Sequence, residues 1–146
     1  MWKVKCLKEL TSEELLEILR LRIDTFVVEQ TRIYHEVDDY DKIAYHVFYQ
    51  TEKGVEAYAR VFKLEDHVTF GRVVIQETLR STGHGKVLMT HILETCQTYF
   101  KGQDIVIESQ EQVVSFYKKF GFEIIGDTFI FEGTPHVEMK LEKAVL

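Results

Sequence analysis

The chain has 146 residues, 45% of them apolar, and its 18 basic against 24 acidic side chains leave a formal charge of −6. That size suits one buried core and one domain over residues 1–146, and the negative balance excludes a generally basic nucleic-acid surface. No apolar run reaches the roughly 18 residues of a membrane span, and Lys3, Lys5 and Lys8 interrupt any signal-peptide core, so a cytoplasmic protein acting away from membranes is expected.

Trp2 to Leu7 alternates as a short strand. Thr11-Ser12-Glu13-Glu14 has the form of a capping box, which starts a helix whose apolar face is read as Leu15, Leu19, Ile23 and Phe26 and which breaks near Glu29. Glu36 to Asp41 is an acidic run without a period, read as a solvated loop that is also able to attract a cationic amine. Three strands follow, Ala44 to Tyr49, Val55 to Phe62 and Val68 to Ile75, spaced as an antiparallel meander. A helix from about Gly85 carries Leu88, Ile92, Cys96 and Tyr99 on one face and leads to a buried strand, Asp104 to Ser109. Because a helix joins them, this strand and Val68 to Ile75 are candidates for a parallel pair. Val113, Phe116, Tyr117 and Phe120 form the stripe of a short helix ending at Gly121, and Phe122 to Phe131 and His136 to Leu141 complete the chain as strands. The order β-α-βββ-α-β-α-ββ predicts a mixed sheet with helices on it. The last strand is one able to pair across a homodimer.

Cys6 and Cys96 are far apart, with no CxxC and no Cys/His cluster, so reduced thiols and no metal site are expected. His35-Glu36 lacks the second histidine of a zinc-hydrolase helix, no Gly-x-Ser-x-Gly elbow occurs, and Asp38, Asp39 and Asp41 lack calcium-loop spacing.

The stretch from Val73 to Lys86 reads as strand, short loop and glycine-punctuated helix start. Amides at such a start are unpaired and carry positive partial charge, which suits a phosphate or pyrophosphate. Leu88 stands where a dinucleotide fold needs its third glycine, and Arg80 where a Walker A loop needs its first. Taken alone, Arg80-x-x-Gly83-x-Gly85 is no more than a helix start with two permissive residues.

Two motifs in order carry more. Arg80-x-x-Gly83-x-Gly85 after a strand, then a helix, the strand Ile105-Val106-Ile107 and the segment Ser115 to Phe122, resembles the GCN5-related N-acetyltransferase (GNAT) superfamily. Within it the chain is similar to the ElaA-type group, through Leu21 to Gln30, Tyr58-Ala59-Arg60, Gly71-Arg72-Val73-Val74 and Pro135 to Met139. That group usually has a tyrosine and acidic pair near residues 129–132, where this chain has phenylalanine, which implies a drier acceptor pocket. The resemblance implies an α/β (α+β mixed) fold, mostly antiparallel with a central parallel pair and flanked by helices. It also implies acyl transfer from acetyl-CoA, as co-substrate without a metal, to a small-molecule or peptide amine. By the same resemblance the loop Arg80, Ser81, Thr82, Gly83, His84, Gly85 and Lys86 holds the pyrophosphate, and Val73, Val74 and Ile75 pair with the pantetheine amides. An acetyl-CoA-binding regulatory module without turnover is the alternative.

Tyr117 matches the family's acid for the departing sulfur, and equally sits on a helical stripe where an aromatic is plain core. A lysine amine, with a pKa of about 10.4, is only about 0.04% neutral at pH 7, so the acceptor needs a base. Glu108, at the end of a buried strand, and His46, midway along an apolar one, are the candidates, with Glu36 and His136 next. Arg72 lies in the cleft strand by analogy and is a candidate for an acceptor carboxylate or for an ordinary salt bridge. Glu36 and His136 complete the candidate acceptor site.

Overall fold

A computed structural model describes residues 1–131 and 133–142. Among the described residues eight strands form one sheet: β1 (Trp2–Cys6), β2 (Tyr45–Thr51), β3 (Gly54–Lys63), β4 (Val68–Ile75), β5 (Ile105–Gln110), β6 (Glu123–Ile124), β7 (Phe129–Phe131) and β8 (Thr134–Leu141). Their order is β1-β2-β3-β4-β5-β8-β6, with β7 also on β8, and only β4–β5 is parallel. That pair is joined by α3 (His84–Tyr99), the crossover that a parallel connection needs. The remaining helices are α1 (Ser12–Ile23), α2 (Tyr40–Ile43) and α4 (Val114–Lys118). Among the described residues no helix is long and apolar enough to cross a membrane.

Alternation along the strands feeds a core on each face of the sheet. Ile105 and Ile107 of β5 and Val137, Met139 and Leu141 of β8 join Leu88, Met89, Ile92 and Cys96 of α3 on one face. Phe48, Tyr58 and Val74 meet Ile18 and Leu21 of α1 on the other.

The structure corrects the expected face of α1. Thr11 caps it, its hydroxyl accepting from the Glu14 amide while the Glu14 carboxylate accepts from the Thr11 amide. The buried positions are Glu14, Ile18, Leu21 and Arg22, and Leu15, Leu19 and Ile23 only flank them. The face is displaced because two charged residues bury with partners supplied by other elements: Lys3 and Lys5 for Glu14, Glu36 and Asp41 for Arg22. A π-helical turn, Asp24–Glu29, then buries Thr25 and leaves Phe26 partly exposed.

Phe122 to Phe131, expected as one strand, is two short ones interrupted around Gly126. The last strand, expected as a free dimerisation edge, lies inside the sheet with β5 on one side and β6 and β7 on the other, so it has no edge to offer a second copy.

Candidate active site

β4 and β5 meet at one register pair, Val68 with Ile105, and diverge beyond it. The gap opens into a cavity of ≈ 1370 Å³ bordered by both strands. Within β4 the register slips between Tyr58–Val74 and Arg60–Gly71, so Arg72 and Val73 together oppose Ala59. A bulge of this kind reverses the alternation of side chains. Phe70 therefore belongs to the α3 core and Val74 to the α1 core, while Val73 and Ile75 pack on the α3 side. Met89, Phe116 and Tyr117 border the cavity from the α3–α4 face. Tyr34, Arg72, Glu108, His136 and Glu138 border it as well, and alternation against the buried β5 and β8 positions puts Glu108, His136 and Glu138 on the opposite face.

At the far end of β4 the Arg80 guanidinium folds back to donate to the Ile75 carbonyl at 3.0 Å. Ser81 and Gly83 take left-handed conformations, φ 65 and 87, and Gly83 is the N-cap of α3. Glycine has no side chain to cap with, so the first-turn amides of α3 have no side-chain acceptor. Arg80, Ser81 and Gly85 border the cavity; Thr82, Gly83, His84 and Lys86 do not, and the Thr82 hydroxyl is tied to the Leu79 carbonyl and, at 2.7 Å, to His84 Nδ1.

Tyr117 is 8% exposed, ringed by Phe70, Phe116 and Phe122, and its hydroxyl has no hydrogen-bond partner among the described residues. Burial pushes its phenol up to about 12, which keeps it protonated at neutral pH. Core packing and a position on the cavity wall thus coexist in one residue.

The acidic run is not a solvated loop. The Glu36 carboxylate accepts from Arg22 Nε at 2.9 Å and lies 2.9 Å from Arg72 Nε, while the Arg72 guanidinium donates to the Glu36 carbonyl at 2.9 and 3.2 Å; Asp41 accepts from Arg22 at 2.8 Å and Arg60 at 3.0 Å, and Asp38 from Arg60. Three arginines therefore match Glu36, Asp38 and Asp41, and Asp39 alone projects outward. This removes the charge that was expected to attract a cation, and Glu36, buried behind Arg72, does not border the cavity.

His46 also lies outside it. Its Nε2 donates to the Asp41 carbonyl at 3.1 Å, since a carbonyl only accepts, and its Nδ1 then accepts from the Tyr58 hydroxyl at 2.6 Å. Burial lowers its pKa, so it is a neutral brace beneath the arginine network. Of the base candidates, Glu108 and His136 reach the cavity and His46 and Glu36 do not.

Two cavity residues escaped the sequence reading. Tyr34 has the guanidinium groups of Arg32 (4.9 Å) and Arg72 (5.2 Å) over its ring, and the second of these contacts joins segments far apart in the chain. Glu138 was legible: apolar Val137, Met139 and Leu141 turn 136, 138 and 140 to the other face. Among the described residues no group of three metal-ligating side chains occurs.

The chain matches the family described as acetyltransferase (GNAT) domain over residues 6–143. It is 38% identical over 141 residues to UPF0039 protein C11D3.02c of Schizosaccharomyces pombe, covering 94% of each chain. It is 33% identical over 139 residues to protein ElaA of Escherichia coli, covering 92% of this chain and 91% of that one. The crystal structure of E. coli ElaA superposes with a TM-score of 0.93 over 97% of this chain and 99% of the other, at 31% identity. An acyl-CoA N-acyltransferase from Pseudomonas aeruginosa superposes at 0.91 over 96% and 97%, with 29% identity. With the family's domain matched over nearly the whole chain and ElaA's fold reproduced, this chain belongs to the GNAT acetyltransferase family, among the relatives of ElaA.

Proposed function

We propose that the protein is an acetyl-CoA-dependent N-acetyltransferase that moves an acetyl group to a primary amine by direct attack. The observation that carries this reading is the single β4–β5 register pair, which leaves the edge of β4 at Val73 to Ile75 open beside an α3 start without a side-chain cap. An extended chain of amides fits an open strand edge, and a pyrophosphate fits first-turn N–H groups. Acetyl-CoA, when bound, supplies the thioester carbonyl that an amine attacks.

The side chains of the cavity then have separate tasks. Glu108, exposed on the cavity wall, accepts the proton of the attacking amine. Tyr117 donates its hydroxyl proton to the leaving sulfur from the α4 side. Because the phenol is a weaker acid than a thiol of pKa about 8.5, its contribution belongs at the lower end of general acid catalysis. Arg72, fixed by Glu36, lines the acceptor side.

The test is thiol release from acetyl-CoA with a mixed pool of polyamines, amino acids and peptides, with acetyl-CoA binding measured alongside. Release that depends on added amine is expected. Tight binding without release would favour a regulatory module instead.

A further inference from the structure

Glu138 stands directly opposite Glu108 across β5 and β8, both exposed and both on the cavity. Like charges directly opposite on antiparallel strands destabilise the pair. Neither carboxylate has a cationic partner among the described residues, and Lys140, two residues further along β8, is engaged by Asp104 at 3.6 Å. The contrast with Glu36, Asp38 and Asp41, each matched by arginine, is sharp.

A second observation lies two residues earlier on the same strand. His136 is 6% exposed, held by the Thr134 carbonyl at Nδ1 (2.8 Å) and packed on the rings of Phe129 and Phe131. Since a carbonyl accepts only, Nδ1 carries the proton of the neutral ring and Nε2 presents a lone pair. Nε2 has no partner among the described residues, and the residue borders the cavity. This wall therefore offers a carboxylate pair and the imidazole nitrogen of a buried histidine, none of them hydrogen-bonded by another side chain among the described residues, with the Gln110 amide across the strands from His136.

We infer that Glu138, with Nε2 of His136, binds a second protonated nitrogen on the acceptor, so that the acceptor class is an aliphatic diamine and not a simple monoamine. The inference rests on the amine-acceptor reading above and adds the feature by which the acceptor is chosen. A second ammonium at Glu138 offsets its repulsion with Glu108 and donates to the Glu138 carboxylate and to the imidazole, which leaves Glu108 as the base for the attacking nitrogen.

The probes are 1,4-diaminobutane and n-pentylamine, equal in heavy atoms and differing by one charge. The expected result is a kcat/KM for the diamine at least tenfold above that for the monoamine, falling toward equality in Glu138→Gln. Calorimetric binding of the same two amines to protein saturated with coenzyme A reads the site without chemistry, and the diamine should bind at least tenfold more tightly. Equal binding of the two amines, or a preference that survives in Glu138→Gln, overturns the inference. Absence of turnover with every amine overturns the transferase reading, while the binding ratio still decides this one. Glu138→Gln should melt no lower than the parent, because it removes a repulsion.

Discussion

The guanidinium of Arg72 lies 2.9 Å from the carboxylate of Glu36, and the residue it anchors is the one position of β4 with a left-handed backbone, φ 51. Side-chain pairing thus holds in place the bulge that turns β4 from one core to the other. Replacing Glu36 by Gln leaves Arg22 and Arg72 without their shared carboxylate, and the loss of a buried partner should cost about 3 kcal/mol in denaturant unfolding. Arg72→Gly should be more stable than Arg72→Ala by about 1 kcal/mol, because glycine alone adopts positive φ freely. Equal stability of those two variants would show that the bulge is not held at positive φ.

At the start of α3 the expected outcome concerns backbone more than space. A Cβ on Gly83 would meet nothing within 4 Å, but φ 87 is unfavourable for a β-branched residue. Gly83→Val should therefore re-aim the first-turn amides and weaken acetyl-CoA binding at least tenfold by calorimetry, with Gly83→Asn intermediate and Lys86→Ala milder. Parent-like affinity in Gly83→Val would remove this loop from the binding site.

Tyr117→Phe should leave folding and acetyl-CoA affinity nearly unchanged, since the ring keeps its place among Phe70, Phe116 and Phe122. With the acid removed, kcat at saturating acceptor should fall by roughly 10², the low end for general acid catalysis. A change confined to KM would instead mean lost uniform binding, and an unchanged kcat with rate-limiting chemistry would leave Tyr117 as core alone.

Stability should fall in two stages as pH drops. Burial lowers the folded pKa of His46 below 6.5, so the unfolded chain holds more protons beneath that value, and stability present above it is lost on acidification. Burial alone would raise Asp41 and Glu14, but Arg22 and Arg60 around the first, and Lys3, Lys5 and the Thr11 amide around the second, hold each at about 2. Their ordinary values are 3.8 and 4.5, so that stabilisation is complete above about pH 4.5 and disappears on the way to pH 2. Denaturant midpoints measured against pH should show both stages, and His46→Gln should abolish only the upper one.

How much of this was legible differs from element to element. The capping box at Thr11 and Glu14, the stripe Leu88, Ile92 and Cys96, though not its last member Tyr99, which is exposed and stacks on Tyr45, the meander and the parallel pair all follow from local hydrogen-bond chemistry and from periods of two and 3.6. These signals lie within a few residues of one another. The face of α1 did not follow, because a periodic reading places apolar residues inside and has no means of knowing that Glu14 and Arg22 will find partners from β1 and from residues 36–41.

The candidate site divides in the same way. The amino-acid sequence by itself determined a glycine-punctuated helix start after β4, read at about Gly85 and found at His84 with Gly83 as its cap, and the alternation that turns Glu108, His136 and Glu138 away from the α3 core. Only the tertiary structure decided that Glu36, Asp38 and Asp41 are neutralised by arginines from α1, β3 and β4, that His46 braces this network, and that the unmatched carboxylates are Glu108 and Glu138. The reason is physical. Helix caps and strand faces depend on neighbours along the chain, whereas which charge is paired depends on groups brought together from distant segments, and in a buried site that pairing decides what charge remains for a ligand.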